Sequence, residues 1–181
     1  ADIEAEEDCV LAGVEEVNYL LESAGLNTKV LKKDGENAQR HDAVIQIEGS
    51  NRSIFTVERT ALNILARMSG VATLCAKAQL IAQTASNGKT KASVTRKTIP
   101  GFNDFDKKAA TIGGAQPHRK NLSEMVLLKT NQVRFFKDVK DAVEKARELH
   151  GFSMKIEVEV ETLENAQLAS TSSADIIMLD N

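Results

Sequence analysis

With 181 residues the chain is long enough for one sizeable domain or two small ones. Its 42% hydrophobic and 27% charged residues fit a soluble globular protein. A formal net charge of -3 argues against a basic nucleic-acid binder, so a local basic cluster in this chain points to a small anionic ligand.

Two cysteines, Cys9 and Cys75, share no metal-ligand spacing and have no neighbouring histidine. They read as ordinary small apolar residues in a reducing compartment. No apolar run approaches membrane-span length and no signal peptide opens the chain, so a cytoplasmic address is expected, with no membrane and no nucleic-acid partner.

Residues 3–7 form a short acidic stretch, expected as an edge strand. Val14, Val17, Leu20 and Leu21 fall at helical spacing and predict a helix over Val14 to Ser23, with Gly25 as its stop. Lys29 to Lys33 and Ala43 to Glu48 read as strands, the second followed by a Gly49-Ser50-Asn51 turn. Two helices are then expected, Val57 to Met68 and about Val71 to Ala85, interrupted at Ser69-Gly70. Gly70 therefore serves as the predicted domain boundary, giving 1–70 and 71–181. Arg59 would sit in the first turn of the first of these helices, where the dipole disfavours a cation. It reads either as a solvated charge or as a residue kept there to touch an anion.

From Ala92 the chain alternates. Strands are expected at Ala92–Thr95, Met125–Lys129, Met154–Val160 and Asp175–Leu179, with helices at Asp104–Ile112, Lys137–His150 and Leu163–Ser170 between them. Such a run implies a parallel sheet with right-handed crossovers, either open and doubly wound or closed into a barrel. No Gly-x-Gly-x-x-Gly turn follows a strand, which argues against a dinucleotide-binding sheet.

Function in parallel β/α folds gathers at the C-terminal ends of strands. Here those ends carry Arg96-Lys97, Lys129, Glu159-Val160-Glu161 and Asp180-Asn181, two cationic ends followed by two acidic ones. His118-Arg119 sits in a Gly/Pro loop between the first two. Glu157, Glu159 and Glu161 alternate along their strand, so they face inward if Val158 and Val160 pack on helices. Taken singly, each group has an ordinary reading: a solvated lysine at 129, a structural carboxylate at 157 or 161, turn residues at 180 and 181, a polar surface histidine at 118. Sorted by sign, they suit a sugar phosphate meeting an acidic cosubstrate: arginine grips carboxylates, lysine holds phosphates, and carboxylates hold ribose hydroxyls or Mg²⁺ carried by a diphosphate.

These residues resemble the quinolinate phosphoribosyltransferases, also called nicotinate-nucleotide pyrophosphorylases. The resemblance rests on Glu58-Arg59-Thr60-Ala61-Leu62-Asn63, Ser69-Gly70-Val71-Ala72-Thr73, Thr95-Arg96-Lys97-x-x-Pro100-Gly101, Gly113-Gly114, His118-Arg119, Leu122-Ser123, Leu128-Lys129, Glu157-Val158-Glu159-Val160 and Met178-Leu179-Asp180-Asn181. It spans nearly the whole chain. It implies an α/β fold, an N-terminal open-faced sandwich followed by an α/β barrel that is incomplete in this chain. It implies a type II phosphoribosyltransferase that uses Mg²⁺ to turn quinolinate and phosphoribosyl pyrophosphate into nicotinate mononucleotide, pyrophosphate and CO₂ in NAD biosynthesis. It implies a homodimer or higher homo-oligomer with shared active sites, Arg59 reaching the partner's site. Arg96, His118 and Arg119 would hold the quinolinate carboxylates, Lys97 and Lys129 would serve the quinolinate and pyrophosphate side, and Glu159 and Asp180 would hold the ribose hydroxyls and the metal-bound diphosphate.

The family usually continues Asp-Asn-His after the strand-end lysine; here Thr130-Asn131-Gln132 follows. Thr98-Ile99 stands for the common Thr-Thr, and Asn103 for a basic or apolar residue. Pro117-His118-Arg119 with Leu122-Ser123-Glu124 also resembles a molybdenum-transport-associated relative. Another acidic acceptor such as nicotinate is therefore an alternative, as are a Schiff-base aldolase using Lys129 and a non-catalytic anion-binding domain. Because the family continues through further strands and a glycine-rich 5′-phosphate site, and opens with further helices, the sequence is expected to be a piece of a longer chain.

Overall fold

The computed structural model describes residues 1–180; Asn181, the last residue of the expected acidic strand end, lies outside the described residues. The chain divides into two compact units, Ala1–His118 and Arg119–Asn181, so Gly70 lies within the first.

In the first unit β1 (Asp2–Glu4), β3 (Asn27–Val30) and β5 (Ala43–Glu48) form an antiparallel sheet in the order β1-β5-β3. Two strands of two residues, β2 (Cys9–Val10) and β4 (Asn37–Ala38), pair beside it. Helix α1 (Val14–Ser23) has the expected bounds, with Glu15 and Glu16 at its positive end. Gly25, at φ 77°, ends it by donating to the Glu22 carbonyl at 2.9 Å. The buried face of α1, Val14, Val17 and Leu21, packs with Val44, Ile45 and Ile47 of the sheet.

The two helices expected around Gly70 are one. Helix α2 runs Asn51–Ser86 without a break. It starts earlier than the apolar periodicity indicates because the Ser50 hydroxyl accepts the Ser53 N–H at 3.1 Å, capping it. Ser69 does not interrupt it: its hydroxyl accepts the Ala12 N–H at 3.1 Å and donates to the Ala12 carbonyl at 3.2 Å. Thr73 accepts the Val10 N–H at 2.9 Å. The polar residues that look like a break instead satisfy the backbone of the segment lying across the helix. One interior glycine costs only about 1 kcal/mol, which such contacts outweigh. A second correction follows: Arg59 is well inside α2, clear of the unfavourable first turn.

By length and composition α2 is long and apolar enough to cross a membrane, contrary to the expectation that no run approaches that length. Its apolar residues have another use. Val57, Ala61 and Leu65 complete the core under α1 and the sheet. Met68 and Ala72 pack on Ala109 of α3 (Asn103–Ile112). Cys75 packs on Ala110 and Ala115. Arg67 on α2 grips Asp106 on α3 with two hydrogen bonds, both 2.9 Å.

The expected strand Ala92–Thr95 is reduced to a parallel bridge, Ser93 to Gln116. The Gln116 N–H donates to Ala92 at 2.8 Å and the Val94 N–H to Gln116 at 3.0 Å. The carbonyls that come next, those of Val94 and Pro117, are both taken by the Lys107 ammonium, and the backbone ladder stops.

The second unit is the expected parallel alternation. Strands β6 (Val126–Leu128), β7 (Ile156–Val160) and β8 (Ile176–Leu179) lie in the order β6-β7-β8. Between them come α4 (Thr130–Val133), α5 (Val139–His150) and α6 (Leu163–Ser170). Asp138 and Thr162 cap α5 and α6 through the N–H groups of Asp141 and Asn165. Val139, Val143 and Ala146 of α5 and Ala169 of α6 bury against Ile156, Val158 and Val160. At the N-terminal edge of this sheet Asp175 accepts from the Ile156 N–H at 2.8 Å, from Arg147 at 2.6 Å and from Lys155 at 3.1 Å.

Candidate active site

The valines of β7 face the helices, so its glutamates take the opposite face, as the alternation predicts. Glu157 and Glu159 are both buried, 4% and 8% exposed, while Glu161 lies beyond the strand and is exposed. In the parallel register Leu128 lies beside Val158, and Glu159 beside Met178. One residue further along, Lys129 flanks Glu159, and its ammonium stands 3.1 Å from the Glu159 carboxylate. Asp180 follows Met178 by two residues and so shares the face of Glu159; its N–H donates to the Val160 carbonyl at 2.9 Å.

Burying a carboxylate is costly unless it is paired, and Lys129 provides the pair. Gln132 contributes here too. Its side-chain oxygen accepts the Lys129 N–H at 2.9 Å, fixing the backbone where the strand turns into α4. Arg119 donates to the Met125 carbonyl at 3.0 Å, bracing its loop against the start of β6.

In the first unit Arg96 and Lys97 lie just past the parallel bridge, both exposed, and the Lys97 N–H donates to Thr95 Oγ1 at 3.1 Å. Lys97 lines a small cavity of about 220 Å³ with Thr95, Arg67 and Lys107. His118 ends the other side of the bridge in the left-handed region, φ 53°, a strained conformation for a non-glycine residue. Arg59 is elsewhere: with Ala66, Gly70 and Lys77 it lines a groove of about 530 Å³ opposite Glu4, Glu6 and Glu7. Arg59 and Arg67 thus use different faces of one helix.

The structure brings Lys129 and Glu159 into contact with each other, with Asp180 on the same face one strand over, and sets Arg96-Lys97 and His118 at the ends of two bridged segments. It leaves Arg59 apart from that loop pair. Sequence reasoning passed over Lys107 and the Arg67–Asp106 pair, and noted Gln132 only as a departure from the family pattern.

Among the described residues no group of three or more His, Cys, Asp or Glu side chains is placed to hold a metal directly. The hard carboxylate oxygens of Glu159 and Asp180 are of the kind that suits a hard divalent cation such as Mg²⁺. Burial pushes the Cys75 thiol up; burial, with Glu7 and Asp8 alongside, does the same for Cys9. Both are free cysteines and neither has the low-pKa setting of a reactive thiolate.

The fold and its strand-end residues define an α/β protein with a cation–carboxylate pair across neighbouring parallel strand ends, where such folds gather their functional groups. Family models for the N-terminal and C-terminal domains of quinolinate phosphoribosyl transferase match residues 1–69 and 71–181. The chain belongs to the quinolinate phosphoribosyl transferase family. It is 37% identical over 181 residues to a probable carboxylating nicotinate-nucleotide pyrophosphorylase of Methanothermobacter thermautotrophicus, covering all of this chain and 64% of that protein. A protein of the same description from Archaeoglobus fulgidus is 42% identical over 172 residues, 95% of this chain and 65% of its own length. The crystal structure of NadC from Streptococcus pyogenes superposes with a TM-score of 0.91 at 37% identity, over 98% of this chain and 63% of that one. The chain thus spans just under two thirds of the length of each of these three relatives.

Proposed function

We propose that this protein transfers the phosphoribosyl group of phosphoribosyl pyrophosphate to quinolinate, releasing pyrophosphate and CO₂ and leaving nicotinate mononucleotide for NAD biosynthesis. The observation that carries the reading is the Lys129–Glu159 pair at 3.1 Å, with Asp180 on the same face of the next strand. In this reading the quinolinate ring nitrogen bonds to the sugar C1′ as the diphosphate leaves. The carboxylate beside that nitrogen then departs as CO₂, and a proton takes its place on the ring. Arg96, His118 and Arg119 hold the two acceptor carboxylates. Lys97 and Lys129 offset charge on the acceptor and the leaving diphosphate, and Glu159 and Asp180 fix the ribose hydroxyls and favour a cationic sugar in the transition state. Mg²⁺ bound to the diphosphate near Glu159 and Asp180 supplies further charge neutralisation when present.

We place the enzyme in the cytoplasm as a homodimer with shared active sites. The support for sharing is Arg59, which faces a groove on a different side of α2 from the Lys97 cavity. A pyrophosphate-release assay on the full-length protein, with quinolinate, with nicotinate and with no acceptor, tests the function. Release with quinolinate alone, with CO₂ in equal amount, is expected; release with nicotinate but not quinolinate would transfer the reading to another acidic acceptor.

A further inference from the structure

Lys107 is the most deeply buried charged side chain among the described residues, 1% exposed. Burying an ammonium is costly unless its donors are used, and a packing role alone would suit leucine or methionine better. Two of its bonds go to one feature. Nζ donates to the Val94 carbonyl at 3.2 Å and to the Pro117 carbonyl. Val94 comes two residues before Arg96, and Pro117 comes immediately before His118. Two carbonyls cannot bond to each other, and proline has no N–H to continue the ladder. An ammonium, with three donors and no acceptor, can join both.

The neighbourhood explains why the joint is needed. The bridge between the two segments is short, and both segments run directly into cationic loops. His118 also holds a left-handed backbone, which persists only where its surroundings fix it. Holding the carbonyl just before His118 fixes that peptide plane. Helix α3, which carries Lys107, is itself anchored to α2 by the Arg67–Asp106 pair at the neighbouring position.

We propose that Lys107 is a positioning residue for the acceptor site, its buried ammonium clamping the loop of Arg96-Lys97 to the segment that presents His118. The kinetic consequence rests on the phosphoribosyltransferase reading; the clamp itself does not. Two measurements on full-length Lys107→Met separate them. By hydrogen exchange, the amides of Lys97, Thr98 and His118 should exchange about tenfold faster or more, with the α2 amides of Leu65 and Met68 unchanged. In steady-state kinetics the quinolinate KM should rise about tenfold or more, with the phosphoribosyl pyrophosphate KM within about twofold. Unchanged exchange in the two loops, or equal rises in both KM values with faster exchange throughout, would overturn the proposal. A wild type inactive with quinolinate would defeat the functional reading instead, and exchange alone would then decide. Should Lys107→Met fail to fold, Lys107→Arg keeps the charge with a bulkier head, and the same split at about threefold is expected; wild-type values would again overturn the clamp.

Discussion

Glu159 and Lys129 are legible as partners only once the strands are paired. Alternation along 157–161 places the glutamates on one face, yet the 3.1 Å contact depends on the register between β6 and β7, which a single sequence does not contain. If the pair acts as a unit, Lys129→Met should lower kcat by about 10² to 10³, and Lys129→Met with Glu159→Gln should lose much less than the product of the single losses. Multiplicative losses in a kcat series would show two independent roles. Arg119→Ala should raise the quinolinate KM about 10- to 100-fold, the range for a hydrogen bond to a charged group, and leave the phosphoribosyl pyrophosphate KM nearly unchanged. Equal rises would reject its place on the acceptor. Lys107 was invisible for a different reason: lysine is rarely buried, so it reads as surface wherever it occurs.

Helices with a clean apolar stripe were recoverable. Val14–Ser23 and Leu163–Ser170 have the bounds their spacing predicts. Strands of two residues, β2 and β4, are too short to show alternation, and α4 is a single turn at a strand end. The break expected at Ser69-Gly70 was lost to tertiary contacts, since serine and threonine serve the backbone of Val10 and Ala12. Two glycine variants separate these influences. At Gly113, φ -72°, conformation is no obstacle, but an added Cβ would meet the Ala72 carbonyl oxygen and lie 2.8 Å from the Cys75 Cβ. Gly113→Ala should therefore destabilise by about 1–3 kcal/mol in urea unfolding. A Cβ at Gly70 meets nothing within 4 Å, so Gly70→Ala should stabilise by about 0.5–1 kcal/mol, as in any continuous helix. A destabilising result there would show that the helix needs flexibility at that point.

Charge across the molecule is sorted by task. Lys108 of α3 contacts Glu15 and Glu16 of α1, both at 2.7 Å; burial disfavours its charge, but those carboxylates outweigh it and raise its pKa. The Ile156 N–H, then Arg147 and Lys155, hold the Asp175 carboxyl well below the usual range. A lowered folded-state pKa means that the unfolded chain takes up the proton first. Its stabilisation is complete above the unfolded value of about 4 and is lost as pH falls through the lower folded value. Acid titration monitored by circular dichroism should show Asp175→Asn less stable at neutral pH but with a flatter decline below about pH 4. A parallel decline would remove Asp175 from the acid transition.

Asp175 and its partners tie the N-terminal edge of the β6-β7-β8 sheet, whereas Lys129, Glu159 and Asp180 occupy the other edge. Under the proposed function, folding and chemistry draw on separate sets of residues at opposite ends of the same strands. An evolving lineage could vary the residues after Lys129, Thr130 and Gln132 among them, and so try new ligands at that edge without loosening the knot that holds the strands in register. A combinatorial library confined to that edge should retain a high proportion of folded members, and one confined to Arg147, Lys155 and Asp175 should not.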